Sequence, residues 1–210
     1  MLTQDTLPEA DANAHILHPG SRRLFSHWEA LRAERAYPTR EEFIFEPIKD
    51  LLPDMVILDR DHLRDSFRYR LAGSRVCGLF GKNLTTTDAL LNWDNFEKNI
   101  ISKQLNTALS QFQPSLIRMR LTTDTGQIVA LEFIALPIQL RDSDRMQLVG
   151  GMFAFRDSRN LGHSTIVAQE LASARIIWTE HSIAPENHTR LAPRPQNFSG
   201  KLRVIAGGKA

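Results

Sequence analysis

The sequence predicts an α+β domain: a five-stranded antiparallel sheet with short helices mainly on one face and an amphipathic N-terminal helix. Three observations carry this. Every link between consecutive predicted strands is hairpin-sized except one, which holds the helices, so all the strands can pair antiparallel. The stretch FRYRLAGSRVCGLFG (Phe67 to Gly81) alternates Phe67, Tyr69 and Leu71 with Arg68 and Arg70, the period-two pattern of a half-buried strand, then turns through Ala72-Gly73-Ser74 into a tight helical segment. The strand Gln127 to Leu140 is apolar on both faces, with Val129, Leu131 and Phe133 on one and Ile128, Ile134, Leu136 and Ile138 on the other, so both must be covered.

In chain order, residues 1–19 read as a loosely ordered leader. Ser21 is a plausible N-cap for a helix to about Arg35, with Leu24, Phe25, Trp28 and Leu31 on one face, and Pro38 stops it. This helix is the natural cover for the second sheet face, either in its own chain or from a partner subunit. Pro47 opens a short helix to Leu52, since the first helical position does not need the missing N–H. A strand Met55 to Asp59 and a polar hairpin lead into the strand Phe67 to Leu71. Asp94, with Glu97 three residues on, has the spacing of a capping box. The helix it opens carries Phe96, Ile100, Leu105, Ala108, Leu109 and Phe112 at near-helical spacing and ends at Pro114. Strands Ser115 to Thr122 and Gln127 to Leu140 flank Asp124-Thr125-Gly126, a hairpin signal. The strand Met146 to Arg156 contains Gly150-Gly151, the mark of a bulge or a close backbone approach. The domain therefore spans 20–157. An extension follows over 158–210, helical over Thr165 to Trp178 and then disordered, being rich in Pro, Asn and Gly.

Composition narrows the function classes. Hydrophobic content of 42% and charged content of 24% over 210 residues are ordinary for a globular chain, and a net charge of +2 is too small to argue for nucleic acid. The segment His181 to Ala210 holds five basic residues and one acid, so it is +4 and the remainder −2. That basic tail supports the alternative reading, a nucleic-acid-associated regulator. A single cysteine, Cys77, excludes an internal disulfide and fits a reducing cytoplasm. No apolar run reaches the ~20 residues needed to span a bilayer, and the acidic N-terminus does not read as a secretory signal. A cytoplasmic chain without membrane insertion is the expectation.

The β-β-α-α-α-β-β-β order, with the stretches WEALRAERAYPTREEF (Trp28 to Phe43), IKDLLPDMVILD (Ile48 to Asp59), FRYRLAGSRVCGLFGKNLT (Phe67 to Thr85) and Pro114 to Arg156, resembles PAS domains. More specifically it resembles a stand-alone alphaproteobacterial PAS-type family of about this length, over roughly residues 22–157. The chain departs from that family at Thr86, where a glycine usually stands, and at Asn92, which precedes Trp93 in place of leucine. The resemblance implies a non-enzymatic sensory or adaptor protein in bacterial signalling. Such a protein binds a small molecule or a signalling partner and acts through protein–protein interaction, with no specific cofactor implied.

The inward set Phe67, Tyr69, Leu71, Val76, Phe80, Phe96, Ile100, Met119 and Phe133 is core, and is the candidate lining if a pocket exists. Leu24, Phe25, Trp28 and Leu31 are the candidate contact stripe of a homodimer. Arg68, Arg70, Arg118 and Arg120 form a basic stripe if their strands are neighbours, either a solvated face with acids such as Glu132 or an anion or partner patch. Cys77 lies in the segment the resemblance implies borders a PAS cavity, and some PAS-like photoreceptors bond a chromophore through one cysteine. Between Val76 and Gly78, however, it lacks the flavin-binding asparagine-cysteine-arginine-phenylalanine core and reads as a small buried hydrophobe. No histidine lies between Arg64 and Asn160, which closes the haem route, and His15 and His18 lack further metal ligands. His163 lacks the continuation of a phospho-accepting helix, Gly150-Gly151 lacks a cyclase signature, and no Walker loop, G-x-S-x-G or paired-carboxylate constellation appears. The reading is no enzyme, no metal and no cofactor.

Overall fold

The computed structural model describes residues 15–140, 145–156 and 165–179. Its helices are α1 (Pro19–Arg32), a 3-10 segment (Glu46–Asp54), α2 (Ser74–Leu79) and α3 (Asn95–Gln111). Its strands are β1 (Met55–Asp61), β2 (Ser66–Ala72), β3 (Ser115–Thr123), β4 (Ile128–Gln139), β5 (Met146–Ala154) and β6 (Ile166–Ile176). They form one antiparallel sheet in the order β2-β1-β5-β4-β3-β6. The fold is α+β and PAS-like, with the five anticipated strands in place and a sixth added. No helix among the described residues is long and apolar enough to cross a membrane.

The sheet has a core on each face. On the first, Leu58, Tyr69, Met119, Leu131 and Phe133 pack with Val76 of α2 and Ile101, Leu105 and Ala108 of α3. On the second, Leu116, Ile134, Leu136, Ile138 and Val149 pack under Leu24, Phe25 and Trp28 of α1 and Ile48 and Leu51 of the 3-10 segment. The two-sided apolar pattern of β4 thus has its cover within one chain, although Ile128, at the start of the strand, stays 61% exposed. Leu24, Phe25 and Trp28 have no accessible surface, and Leu31 packs partly buried against the same cluster. This corrects the expected dimer stripe: a 14-residue helix has one apolar face, and the sheet takes it.

The segment Thr165 to Trp178 is not helical. It forms β6, paired with β3 from Ser115↔Ile176 to Thr123↔Ile166. Its Ala, Gln, Glu and Leu favour a helix by under about 1 kcal/mol per residue. Pairing outweighs this, because it satisfies a full edge of β3 backbone that would otherwise lack protein partners. Register shifts between Arg118 and Met119 and between Thr122 and Thr123 break the alternation that would have marked a strand.

The basic stripe is corrected too. β1, β5 and β4 separate β2 from β3, so the four arginines do not share a patch. Arg68 pairs with Asp61 at 2.9 Å, Arg118 with Glu132 at 2.9 Å and Arg120 with Glu170 at 3.2 Å.

Two helix details differ as well. α1 starts at Pro19, with His18 as its N-cap; His18 Nδ1 accepts the Gly20 N–H at 3.0 Å. α3 buries Ile101, Leu105, Ala108 and Leu109 while Phe96 is 75% exposed. Phe96 precedes Ile101 by five residues, about 140° around the helix, and so points away. Asp94 caps α3 by accepting the Glu97 N–H at 2.8 Å. The Glu97 carboxylate does not return the bond; it accepts the Leu171 N–H at 2.8 Å and ties α3 to β6.

Candidate ligand cavity

β2 brings Phe67 and Tyr69 inward and ends at Gly73, the N-cap of α2. No larger residue fits there, since a Cβ would overlap the carbonyl oxygens of Leu52 and Pro53. Beyond α2, the chain returns along the outer edge of β2. Tyr69 N–H donates to Thr87 O at 3.0 Å, and Thr86 N–H and Ala89 N–H donate to Tyr69 O and Phe67 O, each at 2.7 Å. Thr86 adopts φ +69°, a left-handed conformation in which a β-branched side chain is strained.

This return segment, α3 and the first sheet face enclose a cavity of about 90 Å³. The sheet contributes Leu58, Tyr69, Ile117, Met119, Phe133 and Met152, and α3 contributes Ile101 and Leu105. The return segment adds Phe80, Leu84 and Leu90 with the polar Lys82, Thr87, Asp88 and Asn92, and β6 adds Gln169. Thr87 donates its hydroxyl to Leu84 O at 2.6 Å. The Asp88 carboxylate accepts the Ser66 hydroxyl at 2.6 Å and the Leu90 N–H at 2.7 Å. Tyr69 stands apart. Its side chain is buried, burial pushes its phenol upward, with Cys77 and Asp88 adding to the shift, and no described group hydrogen-bonds to its hydroxyl.

Of the residues singled out from sequence, Tyr69, Phe80, Met119 and Phe133 meet at this cavity. Phe67 and Val76 are buried in the same core without lining it. Ile100 is half-buried one position from the lining Ile101, and Leu71 and Phe96 are exposed, so these three are corrected. Ile101 and Leu105 carried a usable signal in their i, i+4 spacing with Ala108 and Leu109 beyond. Gln169 carried none, because its role depends on β6. Cys77 is half-buried outside the lining and donates its Sγ–H to Ala72 O at 3.6 Å. A Cβ at Gly150 would overlap Ile134 O across the β4–β5 pair, so the glycine pair is a strand feature. His163 and the basic tail lie outside the described residues.

A second, more polar hollow of about 330 Å³ lies between His18, Asp54, Arg75 and the end of β5. Burial raises the Asp54 carboxyl, against the opposing pull of its ion-pair partner Arg75. His18, stacked on Phe153 with ring centroids 5.1 Å apart, is lowered by burial, against the opposing pull of Glu132. His15 accepts a contact from Arg175 at 3.1 Å, so neither leader histidine is a bare surface group.

Two solved structures resemble the chain at a low level. The Rhodobacter sphaeroides LOV protein matches at 14% identity and TM-score 0.40, over 56% of this chain and 69% of that one. An RsLOV d2 variant matches at 14% identity and TM-score 0.39 over the same shares. No curated protein matches. The PAS domain family matches over residues 16–153, from the residues just before α1 through the helices around the cavity to β5. That stretch is well over half of the sequence, and the chain belongs to the PAS domain family.

Proposed function

We propose that this PAS domain is a non-enzymatic sensory or adaptor module. It binds a small molecule between the sheet and α3 and passes the occupancy on through protein–protein contact. The observation that supports this is Tyr69, which stands at the wall of a largely apolar cavity with a hydroxyl that no described group hydrogen-bonds. A hydrogen bond from this hydroxyl to a ligand acceptor is worth about 0.5–1.5 kcal/mol net. The lining also joins β2, α3, the return segment and β6, so an occupant touches elements from both ends of the sheet.

Native mass spectrometry and an absorption spectrum of the freshly purified full chain test this reading, alongside Met119→Phe, which fills the cavity. The expected result is a non-covalent adduct on the native chain that the variant loses. A bare chain in both, with no small-molecule panel member raising the native melting temperature, overturns it.

A further inference from the structure

The cavity is too small for a whole metabolite. At about 90 Å³ it has room for about three waters, whereas sites for drug-sized ligands run to roughly 300–1,000 Å³. It does not end there. Phe80, Lys82, Asn92 and Gln169 line both the cavity and an adjoining groove of about 560 Å³, which runs between the return segment and the first half of β6. An occupant can therefore place a short end inside and its remainder in the groove.

The charges along this path are graded. Lys82 is the single charged residue lining the groove, is exposed, and has no carboxylate partner among the described residues. Lys82 stands where the cavity meets the groove; the other charged residue of the cavity is Asp88, whose carboxylate is engaged by Ser66 and Leu90, and beside it Tyr69 offers a donor that no described group uses. A negative group is thus disfavoured inside and favoured at the mouth. A neutral oxygen acceptor on an apolar body is favoured inside.

Resting on the reading of this cavity as a ligand site, we infer that its ligand class is a short-chain monocarboxylate bearing an oxo or hydroxy oxygen. The apolar body enters between Met119 and Phe133, the oxygen accepts from the Tyr69 hydroxyl, and the carboxylate stays at Lys82, where Asn92 and Gln169 can donate to it.

The test is calorimetry on the full chain at low salt with three probes: 5-oxohexanoate, hexanoate and 2-hexanone. The expected order puts 5-oxohexanoate first. Loss of the carboxylate in 2-hexanone weakens binding about five-fold, the scale of an exposed ion pair. Loss of the oxo group in hexanoate weakens it about five- to ten-fold, the scale of one hydrogen bond. Lys82→Met should remove the first difference and Tyr69→Phe the second, each leaving the other in place. Equal binding of 2-hexanone and 5-oxohexanoate, differences that survive the two substitutions, or no binding of any probe overturns the inference. An adduct seen by native mass spectrometry and lost in Met119→Phe would still support the ligand site itself, so the two failures are distinguishable.

Discussion

Glu132 of β4 accepts the backbone N–H of His18 at 2.8 Å from a carboxylate with no accessible surface. Its other oxygen takes the Leu17 N–H at 3.1 Å and Arg118 Nε at 2.9 Å, and Arg118 also donates to His15 O. One buried charge thus holds the approach to α1 flat across β4 and β3. Glu132→Gln leaves Arg118 without its counter-charge and trades a charged acceptor for a neutral one. Removing one member of a buried pair costs about 3–5 kcal/mol, and because Arg118 retains some solvent the expected loss is about 3 kcal/mol. Urea unfolding of native and variant chains checks it, and a loss below 1 kcal/mol would show that the strap holds without the charge.

Trp28 supplies the second test. It is fully buried, and its Nε1–H donates to Pro137 O at 2.8 Å. Trp28→Phe strands that carbonyl and should cost about 1–3 kcal/mol; Trp28→Ala adds a cavity, for about 3–5 kcal/mol in all. If α1 made a dimer instead of covering its own sheet, sedimentation would show the variants dissociating, and none of that is expected.

Thr86 should be improvable. Holding a β-branched residue at φ +69° costs on the order of 1–3 kcal/mol, of which glycine would return roughly 1 kcal/mol in unfolded-state entropy. Thr86→Gly should therefore raise the melting temperature by a few degrees, while Thr86→Ala, still strained at positive φ, should not. Thermal unfolding by circular dichroism separates the two.

His18 gives the fold a pH dependence of known sign. Its folded pKa lies below the ordinary value of 6.5 because burial disfavours the charged ring. Protonating Nδ1 also destroys the acceptor that caps α1. Between the two values the unfolded chain binds more protons, so stability falls as pH drops from about 7 towards 5. Glu132 faces the ring on one side, and the Asp54–Arg75 pair and Arg156 lie on the other. His18→Asn keeps an acceptor at the cap, and its melting temperature should vary less from pH 7 to 5 than that of the native chain. An identical slope would remove His18 as the cause.

The sequence was most legible where a single element's period decides its structure. Tyr69 alternates inward along β2, and β4, apolar on both faces, required the cover that Leu24, Phe25 and Trp28 provide. Asp94 announced α3, but which side of α3 faces inward depended on a rotation that Ile100 and Ile101 could not fix alone. Strand order is not written in local periodicity, which is why a stripe of Arg68 and Arg118 stayed conditional on their strands being neighbours, and three strands separate them. The polar rim was the least legible part. Lys82 and Asn92 lie in an irregular return segment, and Gln169 becomes a wall residue only through long-range pairing of β6 with β3.

That sixth strand has a practical consequence for anyone cutting the chain. A truncation after Arg156, where the family match and the hairpin logic both run out, would strip Ser115–Thr123 of a neighbour along its whole length and take away the backbone N–H that Glu97 accepts. It would also remove the N–H and hydroxyl that Thr179 donates to Gln113 Oε1 at the exit of the sheet. Such a fragment would carry an open, adhesive border. Aggregation of that fragment would report the cut and not the biology of the tail, so the tail should be removed only downstream of Thr179.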